Sequence, residues 1–440
     1  MTPRLRPLIL TLAIVSLAAG FSAYVSACTP ARHLLMTADM AARGPAASPA
    51  LLAPGFGQDT VTSRGDWQAR RPALLAALED HIFGSAPPPA QARLIASTLV
   101  DPAAYGGTGR IERHALEFVF EDGRAVTQTL ALVLPLNAPG PFPVIMIASD
   151  CGPGAVLGVD AFGEPDAFRH GYCEAGGWLS PVAGLVFGEH VLIPPVAEIL
   201  ARGYALAVWH ESEIGPDAQP MHAEALARLG LDPEAYGRPG LISLWAWTMS
   251  RVADHLVPDA RLSPGGLILY GHSRRAKAVL LAAARDSRFA MVLSLQSGTG
   301  GASLHGDGVG EPVASITQSY PHWFARRYAE YAHDETALPV DAHHLLALIA
   351  PRPVLLGGAM RDTWSDPAGA FRAAQATRPV WRLLEADAPW QTDMDGFDPT
   401  SRLTTHMRGG LHGVRASDWR ALLDFADAHR GALEAEDRAP

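Results

Sequence analysis

Near the middle of the chain, one stretch reads as a strand that breaks sharply into a helix: Gly266 to Arg285, GLILYGHSRRAKAVLLAAAR. Leu267 to Tyr270 is apolar and bounded upstream by Pro264-Gly265-Gly266, as a strand is; after Gly271-His272-Ser273 the residues become Ala- and Leu-rich with helical spacing. Strand, tight turn and helix in that order leave few choices of fold. They also put Ser273 on a strained turn, its hydroxyl beside the amides that open a helix, where an oxyanion can be stabilised. Gly271 fills the first glycine of G-x-S-x-G, but Arg275 stands where the last is expected. On this motif alone Ser273 is either a nucleophile or an ordinary serine of a strand-helix turn.

A chain of 440 residues, 48% of them hydrophobic, is long enough for one large α/β domain with insertions. Its net charge of -10, with no dense Lys/Arg run, argues against nucleic acid as a partner, because phosphate binding needs a concentrated basic surface. No internal repeat and no zinc-type cysteine cluster is present in the sequence.

Arg4 and Arg6 precede an apolar run from Pro7 to Tyr24, followed by Val25-Ser26-Ala27-Cys28, so residues 1–27 read as an export signal. The small residues before Cys28 resemble a bacterial lipoprotein cleavage box, which makes a lipidated Cys28 the first mature residue and anchors the protein at the periplasmic or outer-membrane surface. Plain cleavage near Ala27 and an uncleaved anchor helix are the alternatives. Residues 28–60, rich in Ala, Pro and Gly, read as a flexible tether. The folded domain is expected over 61–430, with a loop insertion around 151–190. In an oxidising compartment Cys151 and Cys173 either pair or stay as buried thiols.

Along the folded part, His114 to Phe120 and Ala125 to Leu134 alternate about Asp122-Gly123 and predict a β-hairpin. Pro143 to Ala148 is apolar throughout, as a strand buried on both faces is. Gly152 to Gly188, rich in Gly, Pro and aromatics, has no clear period and reads as a long excursion, either shaping a substrate site or lying on the surface. A strand from Tyr204 to Trp209, a helix from Leu241 to Val257, and strands at Phe289 to Leu295, Pro353 to Gly358 and Val380 to Leu384 complete the pattern. Strands separated by helices predict an α/β fold, a mainly parallel sheet with helices on both faces in three layers. Ligands then belong at the carboxyl ends of the strands.

A serine nucleophile needs a base within reach and an acid to orient that base. Ser273, Asp362 and His412 follow predicted strands in the chain order Ser, Asp, His known for hydrolase sheets. His412 lies in the glycine-rich Arg408-Gly409-Gly410-Leu411-His412-Gly413, between the last strand and the terminal helix. Of the 17 histidines, His406 is its competitor.

GHSRRAK is similar to the G-x-S-R-x-G-K signature of the glucuronoyl esterases, carbohydrate esterase family 15. Further blocks continue the likeness: Ser297 to Ala302, Gly310-Glu311, Pro321-His322-Trp323-Phe324, Leu338 to Asp341 with His343 to Leu346, Ala350 to Pro353, and Asp362-Thr363-Trp364-Ser365-Asp366-Pro367, with Asp66-Trp67, Arg70-Arg71 and Gly203 to Ala205 upstream. The resemblance implies an α/β-hydrolase fold and a serine esterase that cleaves the ester between (4-O-methyl-)glucuronic acid on xylan and an alcohol of lignin. It implies Ser273 as nucleophile, His412 as base and Arg274 as a member of the oxyanion hole, with Lys277, Glu311 and Trp364 contacting the sugar. No metal or organic cofactor is implied, and the partner is a carbohydrate uronate ester. An arginine beside the nucleophile suits an oxyanion because its charge persists at any working pH.

Three departures stand out. The residue three after the serine is Ala276 rather than glycine. Many members carry a catalytic glutamate directly before the S-G-x-G-G block, where this chain has Gln296, and a glutamine cannot stabilise an imidazolium by charge. That leaves Asp362 as the acid, with Asp366 as the alternative. The Cys151 loop is unlike the family's sequence at that edge, which keeps open an esterase for another acyl or acetyl carbohydrate; Gln296 keeps open an inactive carbohydrate-binding relative.

Overall fold

A computed structural model describes residues 50–162, 173, 188–306, 309–384 and 391–436. The export signal, the Cys28 lipidation site, residues 28–49 of the tether and most of the 151–190 insertion lie outside the described residues. Among those described, nine strands form one sheet: β1 (Ala90–Ala103), β2 (Gly109–Phe120), β3 (Ala125–Pro135), β4 (Phe142–Ser149), β5 (Ala205–His210), β6 (Leu262–His272), β7 (Phe289–Leu295), β8 (Val354–Ala359) and β9 (Leu403–Arg408). Their order across the sheet is β1-β2-β3-β5-β4-β6-β7-β8-β9. β1, β2, β3 and β5 pair antiparallel, and every pair from β5 through β4 to β9 is parallel.

The parallel half reads as continuous apolar runs because successive side chains enter different layers. Val144, Met146, Leu267 and Leu269 join the core under α1 (Arg64–Leu78), α2 (Leu241–Leu256), α3 (Arg274–Arg285) and α4 (Pro367–Leu383), while Ile145, Ile147, Ile268 and Tyr270 join the opposite core against α5 (Ala416–Glu436). Burial on both faces fixes register, since a slip of one residue exchanges the two cores. Among the described residues no helix is long and apolar enough to cross a membrane.

Two expectations change. Val380 to Leu384 is not a strand: residues through Leu383 belong to α4, where Val380 and Trp381 are fully buried on the helix's inner face. The last strand is β9, LTTHMR, half of it only partly buried. Residues 51–59, expected within the tether, instead pack on the domain. Leu51 is buried, and the Arg70 guanidinium, itself buried in α1, donates to the carbonyls of Leu51 (2.9 Å), Ala53 (2.7 Å) and Asp59 (2.5 Å). That buried cation needs these acceptors, so it draws residues 51–59 onto the domain. The Asp66-Trp67 and Arg70-Arg71 blocks work the same way: Ser63 and Asp66 cap α1 reciprocally, and Trp67 is buried.

Candidate active site

Ser273 stands between β6 and α3 with φ 58° and ψ -127°, a left-handed backbone disfavoured for a residue with a side chain. The turn is tight enough that Gly271 is required: a Cβ there would lie 2.6 Å from the Arg275 carbonyl oxygen. At the third position after the serine, Ala276 is fully buried and accommodated. The Ser273 amide donates to Leu295 O at 2.9 Å, which ties the elbow to β7.

His412, in the loop after β9, meets Asp362, in the loop after β8: Nδ1 lies 2.7 Å from Asp362 Oδ2 and 3.3 Å from Ser365 Oγ. Asp362 is 5% exposed. Burial pushes its carboxyl upward, but His412 and the hydrogen bonds from Ser365 outweigh it and hold the group below the usual carboxylate range. His272, the residue before Ser273, places its ring 4.8 Å from the His412 ring, centroid to centroid. The elbow, His412 and Asp362 therefore converge on one edge of the sheet. Asp366 is elsewhere: it N-caps α4 through Gly369 N at 2.9 Å and faces Arg372 at 3.6 Å. The preference of a short carboxylate for the first turn of a helix accounts for it, while the carboxylate bonded to His412 is that of Asp362. His406 faces Asp418 at 3.5 Å.

On the other side of the elbow, Arg274 is clamped by Asp150 Oδ1 and Asp217 Oδ2, each at 3.0 Å. Asp150 also pairs with Arg275, and Asp217 takes hydrogen bonds from His322 and Trp323, at 2.8 and 2.7 Å. No local pattern marks this clamp beyond the position of Asp150 at the end of a strand. Cys151, directly after it, is disulfide-bonded to Cys173.

Lys277 is buried in α3. Its Nζ donates to the carbonyls of Ser297 and Thr299, the latter at 2.6 Å, so two of its three donors serve the S-G-T-G-G turn rather than solvent. Glu311 is 9% exposed, with its amide bonded to Trp364 O at 2.9 Å. Burial pushes the Lys277 ammonium down and the Glu311 carboxyl up, each shift opposed by the other group's charge. Trp364 is half-buried two residues after Asp362.

The profile described as "Glucuronyl esterase, fungi" matches residues 206–385, which include the elbow and Asp362. Among curated relatives, the carbohydrate esterase MZ0003 of an unknown prokaryotic organism is 37% identical over 243 residues, 53% of this chain and 55% of its own length. The 4-O-methyl-glucuronoyl methylesterase 1 of Wolfiporia cocos is 25% identical over 338 residues, 74% of this chain and 69% of its own. The solved glucuronoyl esterase of Solibacter usitatus is 31% identical, with a TM-score of 0.72 over 88% of this chain and 99% of that one. This chain belongs to the glucuronoyl esterase family, carbohydrate esterase family 15. A solved family member from a marine bacterial metagenome, described as a promiscuous esterase, superposes with a TM-score of 0.73 at 28% identity over 89% of this chain.

The fold is accordingly that of the α/β-hydrolases, with a three-stranded antiparallel extension. Where many esterases of the family carry a glutamate, Gln296 is buried at φ 53°, and its side chain reaches His272 and the main chain of Gly413 rather than His412 Nδ1.

Proposed function

We propose that the chain is a serine carboxylester hydrolase acting on glucuronate esters between xylan and lignin, with Ser273, His412 and Asp362 as its triad. The observation that carries this is the 2.7 Å contact of His412 Nδ1 with the buried Asp362 carboxylate, one ring away from a serine on a strained elbow. Asp362 fixes the tautomer that leaves His412 Nε2 as the base. Ser273 Oγ attacks the ester carbonyl as Nε2 takes its proton, and the oxyanion forms against the amides opening α3 and the clamped charge of Arg274. The intermediate collapses, the alcohol leaves with the proton from His412, and His412 then activates water to release the uronate. Lys277, Glu311 and Trp364 line the sugar side of the cleft: two charged groups held in a dry setting, where hydrogen bonds to hydroxyls are strong, and an amphipathic ring. A charged acid at His412 supports turnover over the inactive-binder reading.

Residues 1–27 direct export, and Cys28 becomes the lipidated first residue of a periplasmic or outer-membrane-anchored protein. The Cys151–Cys173 disulfide supports an oxidising compartment.

The test is hydrolysis of a glucuronate ester, the matching galacturonate ester and an aryl acetate by wild type and Ser273→Ala. Preference for glucuronate, abolished by the substitution, is expected. Acetate cleavage alone moves the protein to a different acyl specificity, and no turnover of any ester overturns the proposal.

A further inference from the structure

Gln296 is buried, and three features of it bear on the reaction although it touches neither Ser273 Oγ nor His412 Nδ1. Its side-chain Oε1 accepts the Gly413 N–H at 2.9 Å and lies 2.7 Å from His272 Nε2. Its own amide donates to Gly357 O on β8 at 2.7 Å. And its backbone is held at φ 53°, which directs the side chain off the end of β7 at the cost of about 1–3 kcal/mol.

The protonation pattern follows from these contacts. A backbone N–H can bond only to an acceptor, so the atom facing Gly413 is the amide oxygen, and His272 Nε2 must then be the donor. His272 therefore carries a proton on Nε2. Burial, and then the neighbouring His412, push its pKa down to about 3, which keeps it neutral beside a base that becomes charged during turnover.

The three partners sit on the elements that carry the triad. His272 precedes Ser273 on β6, Gly357 lies on β8 ahead of Asp362, and Gly413 follows His412. We propose that Gln296 and His272 are a positioning pair for this reaction, the amide oxygen of Gln296 tying the loop of the base to the strand of the nucleophile. No backbone ladder does this. β6 and β9 are separated in the sheet by β7 and β8, so the base's loop and the nucleophile's strand are not direct neighbours. Misplacing one reacting group by about 1 Å costs on the order of 100-fold in rate.

The inference rests on the serine-esterase reading and is tested with Gln296→Met, which keeps the volume and removes the acceptor, and Gln296→Glu, which keeps an acceptor oxygen. Turnover of a glucuronate ester is measured at a pH on the activity plateau, with thermal melting alongside. Gln296→Met is expected to lower kcat about 10- to 100-fold, with KM within about twofold, and Gln296→Glu to restore kcat to within about fivefold of wild type. His272→Phe, which keeps the ring and loses the donor, should match Gln296→Met, and the double variant should cost far less than the product of the two. A kcat for Gln296→Met within twofold of wild type, or a Gln296→Glu variant as slow as Gln296→Met, overturns the proposal. Should Gln296→Met fail to fold, His272→Phe carries the test; failure of both to fold makes the tie a requirement of the fold and overturns it as well. Ser273→Ala separates the two readings. If that variant still turns over, the esterase mechanism falls. If it is dead while Gln296→Met is unaffected, only the positioning pair falls.

Discussion

His412–Asp362 and His305–Asp341 are both histidine-aspartate pairs with Nδ1 2.7 Å from a carboxylate oxygen, and they differ in what lies at the other ring nitrogen. His305 Nε2 is 2.5 Å from Tyr328 Oη, its side chain is 3% exposed, and Asp341 also caps the helix at Ala342–Ala347. The pair is saturated. The His412 side chain is 31% exposed, and among the described residues no hydrogen bond reaches its Nε2. A histidine-carboxylate contact orients a ring, but a base requires that the second nitrogen face a reactant. By that measure His322–Asp217 is structural too, since the ring bonds Asp217 through Nε2 and its Nδ1 is buried away from solvent.

The largest effect expected from this contrast is Asp362→Asn. Losing the tautomer and charge at the exposed ring should lower kcat by about four orders of magnitude, with the melting temperature little changed. A fall of less than tenfold in steady-state turnover would break the comparison. Next is Arg274→Met. If the clamp of Asp150 and Asp217 holds this cation for the oxyanion, kcat should fall about 100- to 1,000-fold, as for loss of one oxyanion donor. An effect confined to KM would assign Arg274 to substrate binding instead.

The smallest effect on turnover is expected for Asp341→Asn, at the saturated pair. Activity per folded molecule should be unchanged while stability falls by about 1–3 kcal/mol, measured by denaturant unfolding. Burial pushes the Asp341 carboxyl up, but His305 and the backbone amide of Ala342 outweigh it and hold the pKa below its ordinary 3.8. A depressed folded pKa means that the ionised carboxylate's contribution is complete above 3.8 and is lost as the pH falls through the lower folded value. The stability gap between wild type and Asp341→Asn should therefore be constant at neutral pH and close below pH 3.8. A gap that widens on acidification would contradict that assignment.

Where a segment had a period or a uniform apolar run, its structure was readable. The β2–β3 hairpin alternates about Asp122-Gly123, and β4, β6 and β7 are apolar because both faces are covered. β1 has no such signal: Leu94, Ile95 and Leu99 are all exposed on an edge strand that mostly faces solvent, so nothing forces alternation. Val380 to Leu384 misleads for the opposite reason. A short apolar run is the same in a buried helix end as in a strand, and only the packing of Trp381 distinguishes them.

By itself the sequence determined the strand-turn-helix around Ser273, the order Ser, Asp, His, and the family blocks, because these depend on local geometry and on chain order. Tertiary structure alone decided which carboxylate meets His412, where Arg274 finds its counter-charges, and what Gln296 does. Asp362 and Asp366 are four residues apart, and the sequence prefers Asp362 while keeping Asp366 as the alternative. One faces the histidine and the other caps a helix, because the turn after β8 points their side chains differently. Gln296 lies 117 residues from Gly413 along the chain. The Gln296 oxygen can reach Gly413 only because the consecutive sheet order β6-β7-β8-β9 lines up the ends of these strands along one edge, and no local pattern encodes a contact between residues that far apart.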